Sequence, residues 1–146
     1  MTQTGSVPTQ HPICGVFAYG TLKRGQCRER CWPHPPQRIE AAYVLGQLHD
    51  LGEYPALVDG RDRIAGELWH VAPQHLDDTL RALDVVEGAT GGPDAWFVRR
   101  LVTCYVHGGG EAQAWIYYFA QPARLKEYPT VAADADGLCR WPRGEV

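Results

Sequence analysis

A carboxylate at position 87 falls where the surrounding pattern predicts an apolar side chain. The segment 73–88 carries helix signals, with proline at its first position and glycine at its last. Its apolar side chains recur at helical spacing as one stripe: Leu76, Leu80, Leu83 and Val86. At about 100° per residue, Glu87 falls inside that stripe. Burial there would raise the pKa of the carboxyl, which makes Glu87 a candidate general base toward an amine near neutral pH.

Two structural interpretations of Glu87 stay open beside the catalytic one. The helix could end before residue 87 and leave the carboxylate in solvent, because helix ends are uncertain by a residue or two. Glu87 could instead be the structural ion-pair partner of Arg99. A carboxylate at an apolar position is costly unless it is paired or protonated, so the interpretations differ in the neighbours that they predict for Glu87.

The loop at 19–25 is the second candidate for chemistry, because it follows an apolar strand and contains two glycines. Gly20 lets a ligand approach the main chain closely. Free N–H groups in such a turn bind carboxylates or phosphates and can stabilise an oxyanion. The alternative is an ordinary strand-to-helix turn in which Thr21 caps the helix. The glycine spacing matches neither a P-loop nor a dinucleotide-binding fingerprint.

Length and charge limit the classes of function that are open to the chain. It has 146 residues, of which 45% are hydrophobic and 21% charged, and its net charge is −3. We expect a disordered lead at 1–12 and a single domain at 13–146. The charge balance argues against nucleic acid or an anionic membrane as a partner. No apolar run approaches the roughly 18 residues that would span a bilayer.

The five cysteines predict a reducing compartment rather than a disulfide framework. Their number is odd, they are scattered, and residues 1–12 show no secretory signal, so we expect reduced thiols in a cytoplasmic protein. Cys27 and Cys31 lie close together, but two thiols fall short of the four ligands of a structural zinc. No metal site and no cofactor is predicted, and the oligomeric state stays open.

Strand-forming segments dominate the pattern and predict an α+β fold. Five runs are predicted as strands: Ile13–Tyr19, Ala42–Leu51, Ile64–Val71, Phe97–Val106 and Ala112–Phe119. The glycine turn at 107–111 predicts an antiparallel hairpin, and Gly46 predicts a bulge or a close approach of another chain segment. Helices are predicted at 73–88 and Pro122–Tyr128. The expected architecture is a mostly antiparallel or mixed sheet, open to closure into a barrel, with a few packed helices.

Short motifs follow one another in order over residues 13–120, namely Tyr19–Gly25, Gly46–Val58, Gly66–Trp69, Leu83–Gly88, Phe97–Arg99 and Ala114–Tyr117. Together they resemble the gamma-glutamylcyclotransferase-like family. The resemblance implies the compact mixed barrel with flanking helices that is typical of this family. The chain departs from the pattern at Phe97, where many members have tyrosine, and at 26–28, where an asparagine is common. The segment 91–93 is a further insertion.

The resemblance implies an intramolecular acyl transfer on a small γ-glutamyl amine or peptide. The free α-amine of the glutamyl group attacks its own γ-carbonyl and closes a five-membered ring, which releases 5-oxoproline and an amine. Glu87 matches the family's catalytic glutamate in the Leu-Asp-x-x-Glu element and would take a proton from the α-amine. No cofactor or metal is implied, and the identity of the leaving amine stays open.

The resemblance also implies which residues would hold the substrate. The family's Tyr-Gly-Thr-Leu loop supplies backbone N–H groups, and it maps to Tyr19, Gly20, Thr21 and Leu22. Arg99 and Tyr117 complete the predicted substrate-binding set. Each of these two has an equal structural alternative, since Tyr117 could pack in the core and Arg99 could cap the sheet. Glu67 is predicted to be a structural hydrogen-bonding residue.

A binding module is the competing interpretation of the same motifs. The pocket could hold a small carboxylate-bearing ligand without turning it over, since a fold does not guarantee chemistry. The presence of Glu87 together with the loop glycine favours an enzyme, because a pure binder has no evident need for a base. A different acyl chemistry on a modified amino acid or peptide end is a third interpretation.

Overall fold

A computed structural model describes residues 12–142, which form six strands, one α-helix and three short 3₁₀ turns. The strands are β1 (Ile13–Ala18), β2 (Arg38–Asp50), β3 (Pro55–His70), β4 (Phe97–Val106), β5 (Glu111–Phe119) and β6 (Leu138–Cys139). The α-helix, α1, is Leu76–Val86, and the 3₁₀ turns are Glu29–Cys31, Pro73–His75 and Pro122–Glu127. The predicted disordered lead at 1–12 lies outside the described residues except for Pro12.

Five of the strands close into a barrel. Their order in the sheet is β1-β5-β4-β2-β3, and β1 also pairs with β3, so the sheet returns to its first strand. β1 runs parallel to β5, and the other pairs in the ring are antiparallel. β6 adds a short parallel strand to β3. The predicted α+β class, with a mixed, barrel-like sheet and a few short helices, is confirmed.

The seam between β1 and β3 brings two backbones unusually close. Phe17 and Ala18 on β1 lie opposite Leu68 and Glu67 on β3. A Cβ atom on Gly66 would lie 2.5 Å from the Ala18 carbonyl oxygen and 2.6 Å from Phe17 Cζ. Both distances are shorter than packed atoms tolerate, so the barrel closes over the Phe17 ring only with glycine at position 66.

β2 and β3 form one long hairpin that is longer than predicted. β3 starts at Pro55 rather than at the predicted Ile64. The prediction missed its first half because residues 59–63 are exposed and polar, which interrupts the apolar pattern that signals a strand. β2 also begins before its predicted start at Ala42. The bulge predicted at Gly46 is confirmed as a shift in register directly after that residue.

The hairpin of β4 and β5 confirms the prediction from the glycine turn. β4 has the predicted bounds, and β5 begins at Glu111, just before the predicted Ala112. In the turn, Gly109 and Gly110 have φ angles of +108° and +96°. Residues with side chains rarely adopt these angles, so the glycines in the turn allow the two strands to pair directly.

The helix α1 packs on the outside of the barrel. Leu80 and Leu83 are buried and share an apolar cluster with Val16 of β1. The 3₁₀ turn before α1 begins with proline. Gly88, just beyond the C-terminal end of α1, has a φ of +65°, so the predicted start and stop signals are confirmed. The second predicted helix is a 3₁₀ turn. Within residues 12–142, no helix is long and apolar enough to cross a membrane.

Replacing Gly66 by alanine should lower the free energy of unfolding by about 1–3 kcal/mol, the usual cost of forcing a methyl group into a packed site. Gly108→Ala is the matched control, because a Cβ atom there meets nothing within 4 Å. Urea unfolding followed by circular dichroism should give a lower midpoint for Gly66→Ala and an unchanged midpoint for Gly108→Ala. Equal midpoints for the two variants would contradict the close approach at the seam.

Candidate active site

A cavity of about 240 Å³ opens where the loop after β1 meets the C-terminal end of α1. Residues 19–22 of the loop line one part of it, and Glu87 with Gly88 lines another. Aromatic side chains from three further segments also line it: Tyr54, Trp96, Phe97 and Tyr117. The barrel therefore brings segments that are distant in the sequence to one place, and the predicted loop and Glu87 meet there.

Glu87 directly follows the last residue of α1. Its N–H donates to the Leu83 carbonyl at 2.9 Å, and its φ and ψ angles of −90° and 0° continue the helical direction. The carboxylate therefore stays on the apolar stripe, and the side chain is only 10% exposed. The predicted position of Glu87 on the stripe is confirmed. The interpretation in which the helix end leaves this carboxylate in solvent is wrong.

Arg28 is the charge partner of Glu87. Its Nη1 donates to Glu87 Oε2 at 3.1 Å and to the Val86 carbonyl at 3.3 Å. Burial raises the pKa of Glu87, and the Arg28 guanidinium offsets part of that rise. Sequence reasoning noted residue 28 as a departure from the family pattern but did not place it in the site. Its position shortly after the loop places it near the cavity, but no spacing in the sequence identifies Glu87 as its partner.

The loop after β1 folds back on itself through hydrogen bonds between its own main-chain groups. The Lys23 N–H donates to the Gly20 carbonyl at 3.1 Å, and the Arg28 N–H donates to the Thr21 carbonyl at 2.9 Å. Within residues 12–142, no hydrogen bond engages the N–H groups of residues 20–22. These donors border the cavity and suit a carboxylate or an oxyanion. The interpretation of Thr21 as a helix cap is wrong, because the next helical turn has Arg28 at its N-cap position.

Glu67 on β3 ties this loop to the barrel. Its Oε1 accepts the Arg24 N–H at 2.9 Å and the Trp69 indole N–H at 3.0 Å, and its Oε2 accepts Arg24 Nε at 3.1 Å. The Trp32 indole N–H donates to the Leu22 carbonyl at 2.9 Å, and its ring stacks on Trp69 at 4.1 Å. These contacts hold the main chain of the loop and so fix its N–H groups. The predicted structural role of Glu67 is confirmed.

Tyr19 fixes the start of the loop to β5. Its buried hydroxyl donates to the Tyr117 carbonyl at 2.5 Å. Burial, together with the nearby Glu87 carboxylate, holds the pKa of Tyr19 well above its ordinary range. The Tyr19 hydroxyl therefore stays neutral and acts as a hydrogen-bond donor at physiological pH.

Asp84, an acidic residue in the last turns of α1, holds two neighbouring side chains in place beside the cavity. Its carboxylate accepts two hydrogen bonds from Arg99, at 2.8 and 3.1 Å, and one from the Tyr117 hydroxyl at 2.8 Å. Burial and the hydrogen bond to Asp84 raise the pKa of Tyr117. Tyr117 lines the cavity as predicted, whereas Arg99 does not. The interpretation in which Arg99 pairs with Glu87 is wrong, since Arg99 pairs with Asp84 and lies 4.6 Å over the Trp115 ring.

The cavity combines a base with hydrogen-bond donors and aromatic walls. Glu87 Oε1 has no hydrogen-bond partner among residues 12–142, so it is available to a ligand. In that part of the chain, no group of three or more His, Cys, Asp or Glu side chains is arranged to hold a metal ion. The described cysteines are all free. The arrangement can therefore bind an anion through the loop and take a proton from an amine beside Glu87.

Comparisons with known proteins agree on one family. Residues 16–137 match the family model described as gamma-glutamyl cyclotransferase, AIG2-like. A relative from Vibrio cholerae serotype O1, provisionally named a gamma-glutamylcyclotransferase, is 32% identical over 118 residues, which cover 75% of this chain and 85% of the relative. The gamma-L-glutamyl-butirosin B gamma-glutamyl cyclotransferase of Niallia circulans is 28% identical over 106 residues. That match covers 71% of this chain and 65% of the relative, slightly under two thirds.

The crystal structure of YkqA from Bacillus subtilis has the same fold. The TM-score is 0.57 at 18% sequence identity, and the match covers 80% of this chain. The chain spans only 36% of YkqA, which is a much longer protein. At this level of identity the likeness shows the fold alone.

Asp84→Asn should lower the free energy of unfolding by about 2 kcal/mol, because it weakens hydrogen bonds to a charged, partly buried partner. Asp59→Asn is the matched control, since Asp59 is 86% exposed and its ion pair with Arg100, at 3.4 Å, should contribute nothing measurable. Scanning calorimetry should show a lower Tm for Asp84→Asn only. A Tm equal to that of Asp59→Asn would show that the pair with Arg99 does not support the cavity wall.

Proposed function

Because the chain belongs to the gamma-glutamyl cyclotransferase, AIG2-like family, we propose that it cyclises a small γ-glutamyl amine or peptide with Glu87 as the general base. The observation that carries the proposal is the position of Glu87, a buried carboxylate with one free oxygen. It shares its cavity with the free N–H groups of residues 20–22. The name of the Niallia circulans relative supports the same class of reaction.

The proposed reaction is an intramolecular acyl transfer. The α-amine nitrogen attacks the γ-carbonyl carbon, and the new C–N bond closes the five-membered ring of 5-oxoproline. The bond from the same carbon to the leaving nitrogen then breaks as the carbonyl re-forms, and the amine is released. Because nucleophile and electrophile belong to one molecule, the main task of the protein is to hold the substrate curled.

Glu87 moves the proton in this scheme. An α-ammonium has no lone pair until it loses a proton, and Glu87 Oε1 is free to accept it. The same carboxyl then passes this proton to the leaving nitrogen, so the amine departs neutral and the carboxylate is restored. The ring nitrogen loses its second proton to solvent as the lactam forms. The raised pKa of Glu87 makes the carboxylate a stronger base than one in water.

The N–H groups of residues 20–22 can donate hydrogen bonds to two anionic groups in this scheme. One is the α-carboxylate of the glutamyl group, and the other is the oxyanion that develops on the γ-carbonyl oxygen. Donors that are already in place stabilise a developing charge without reorganisation. Gly20 supports this role because a Cβ atom there would lie 2.7 Å from Pro55 Cγ, so a side chain would displace the loop from the cavity wall.

The remaining predicted residues act on the shape of the cavity. Tyr19 and Tyr117 form walls against which the glutamyl chain curls, and the hydrogen bond between them holds those walls together. Arg99 is a positioning residue in this proposal, since it lies opposite Tyr117 on the neighbouring strand and shares the partner Asp84 with it. Its contribution is therefore the orientation of the Tyr117 ring rather than contact with the substrate.

Glu87→Gln should abolish most turnover and retain substrate binding. Loss of a general base costs about 10²–10⁴-fold, so we expect kcat to fall by at least about 100-fold. Release of 5-oxoproline from a panel of γ-glutamyl amines, with wild type assayed beside the variant, measures the effect. Glu111→Gln is the matched control, because this exposed glutamate begins β5 and does not line the cavity.

Two outcomes of this assay would count against the proposal in different ways. Unchanged turnover by Glu87→Gln would remove Glu87 from its role as the base. No 5-oxoproline from any substrate, with equal ligand binding by wild type and variant, would favour a binding module for a small carboxylate-bearing ligand. Loss of activity in Glu111→Gln would mean that the assay reports stability rather than chemistry.

A plot of kcat/KM against pH should fall on its acidic side, and the midpoint of that acidic limb should lie above the ordinary glutamate pKa of about 4.3. Burial raises the pKa of Glu87, and the base works only when it is deprotonated, so activity is lost as the pH falls through that raised value. A pH–rate profile on protein shown to stay folded at each pH measures the limb. A limb at or below the ordinary value would contradict a buried base.

A further inference from the structure

Arg28 has more hydrogen-bonding capacity than the protein itself uses. Among residues 12–142, only its Nη1 is engaged by side chains or carbonyls, at 3.1 Å from Glu87 Oε2 and 3.3 Å from the Val86 carbonyl. Its Nε and Nη2 have no partner there, and the side chain is 38% exposed in the lining of the cavity. A guanidinium presents its donors in a planar fork that fits the two oxygens of a carboxylate.

The main chain fixes Arg28 to the loop that carries the free N–H groups. The Arg28 N–H donates to the Thr21 carbonyl at 2.9 Å, so the side chain starts from the same turn as residues 20–22. Both the guanidinium and this stretch of the loop line the one cavity. A carboxylate held by the loop N–H groups would therefore lie in the same cavity as a guanidinium with two free nitrogen atoms.

The substrate of the proposed reaction carries two opposite charges on one carbon atom. Its α-carbon bears both the α-ammonium and the α-carboxylate. Glu87 and Arg28 present the complementary pair of charges, 3.1 Å apart. When the ammonium contacts Glu87, the carboxylate on the same carbon is placed beside the guanidinium, where a charge-assisted bidentate contact can form.

We propose that Arg28 binds the α-carboxylate of the substrate and makes the site selective for γ-glutamyl compounds in which that carboxylate is free. This inference rests on the proposed function and names what the site recognises at the α-carbon. The loop N–H groups supply dipoles to the carboxylate, and Arg28 supplies the opposite charge. Selectivity at this end of the substrate is independent of which amine leaves.

Charge balance in the cavity supports the assignment. The charge that acts on the pKa of Glu87 is that of Arg28. Burial, helped by the Glu87 charge, raises the pKa of the hydroxyls of Tyr19, Tyr54 and Tyr117, so all three stay neutral. A zwitterion adds no net charge to the Glu87–Arg28 pair and gives each charge a second partner. A substrate without the α-carboxylate would bring one uncompensated positive charge into a partly desolvated site.

The test compares two substrates that differ only at this carbon. One is a γ-glutamyl anilide, and the other is the matching 4-aminobutanoyl anilide, which has no α-carboxylate. The first yields 5-oxoproline and the second yields 2-pyrrolidinone, with the same aniline released from both. Arg28→Gln should raise KM for the γ-glutamyl substrate by about 10- to 100-fold, as expected for a lost hydrogen bond to a charged group. Its KM for the 4-aminobutanoyl substrate should not change.

Two further variants keep the comparison interpretable. Arg28→Lys retains the charge but not the planar fork, so it should give an intermediate KM for the γ-glutamyl substrate. Arg30→Gln is the matched control, because Arg30 is an exposed arginine of the same turn that contacts only the Cys27 carbonyl, at 3.2 Å, within the described residues. Its kinetics with both substrates should equal those of wild type.

The pH profile distinguishes this role from a merely structural one. Arg28 lowers the pKa of Glu87, so its removal should move the acidic limb of Arg28→Gln to higher pH with either substrate. Arg28→Lys should restore most of the wild-type profile. A variant that loses activity without a shift of the limb would point to damage elsewhere in the loop and would overturn the proposal.

Binding measurements separate this proposal from failure of the proposed reaction. In a Glu87→Gln background, where no turnover is expected, calorimetry should show that adding Arg28→Gln weakens binding of the γ-glutamyl anilide only. Absence of lactam from wild type would end the cyclotransferase proposal but would leave this comparison intact. Equal losses of affinity for the two anilides, or no loss for either, would overturn the role of Arg28.

Discussion

The cavity depends on keeping one carboxylate charged at a position where the helix would otherwise bury an apolar side chain. Taking such an ion out of water costs several kcal/mol unless a partner offsets it. Arg28 is that partner, at 3.1 Å from Glu87, but it lies on a loop and has to be held in place itself. Glu67 and Trp32 bind the main chain of that loop. The charge of Glu87 is therefore maintained by a series of contacts that begins on strand β3.

The closure of the barrel determines where those contacts can form. β1 lies between β3 and β5, so the loop that leaves β1 emerges beside Glu67 on one neighbour and Tyr117 on the other. α1 follows β3 and packs on β1 through Leu80 and Leu83, which brings its C-terminal end to the same place. A barrel that failed to close at the seam of β1 and β3 would separate the loop from its anchor. The site is in this sense a product of topology rather than of any one segment.

Local signals explain what could be predicted from the sequence. Glu87 could be predicted because helical periodicity places it on the apolar stripe, even though α1 ends at Val86. The β4–β5 hairpin was visible because glycines mark its turn. Arg28 could not be placed in the same way, since a charged side chain finds its partner through tertiary contacts that no local spacing encodes. Arg99 shows the same limit, because its partner proved to be Asp84 and not Glu87.

Two pairs of a carboxylate and an arginine lie at the C-terminal end of α1, and they differ in how many of their polar atoms have hydrogen-bond partners. Both oxygens of Asp84 are used, by Arg99 and by the Tyr117 hydroxyl. Glu87 and Arg28 share a single hydrogen bond, and within residues 12–142 each keeps polar atoms without a partner. These atoms are not fully buried, so water can reach them in the free protein. A ligand that completes the second pair gains interactions that the free protein lacks, whereas the first pair can only serve as support.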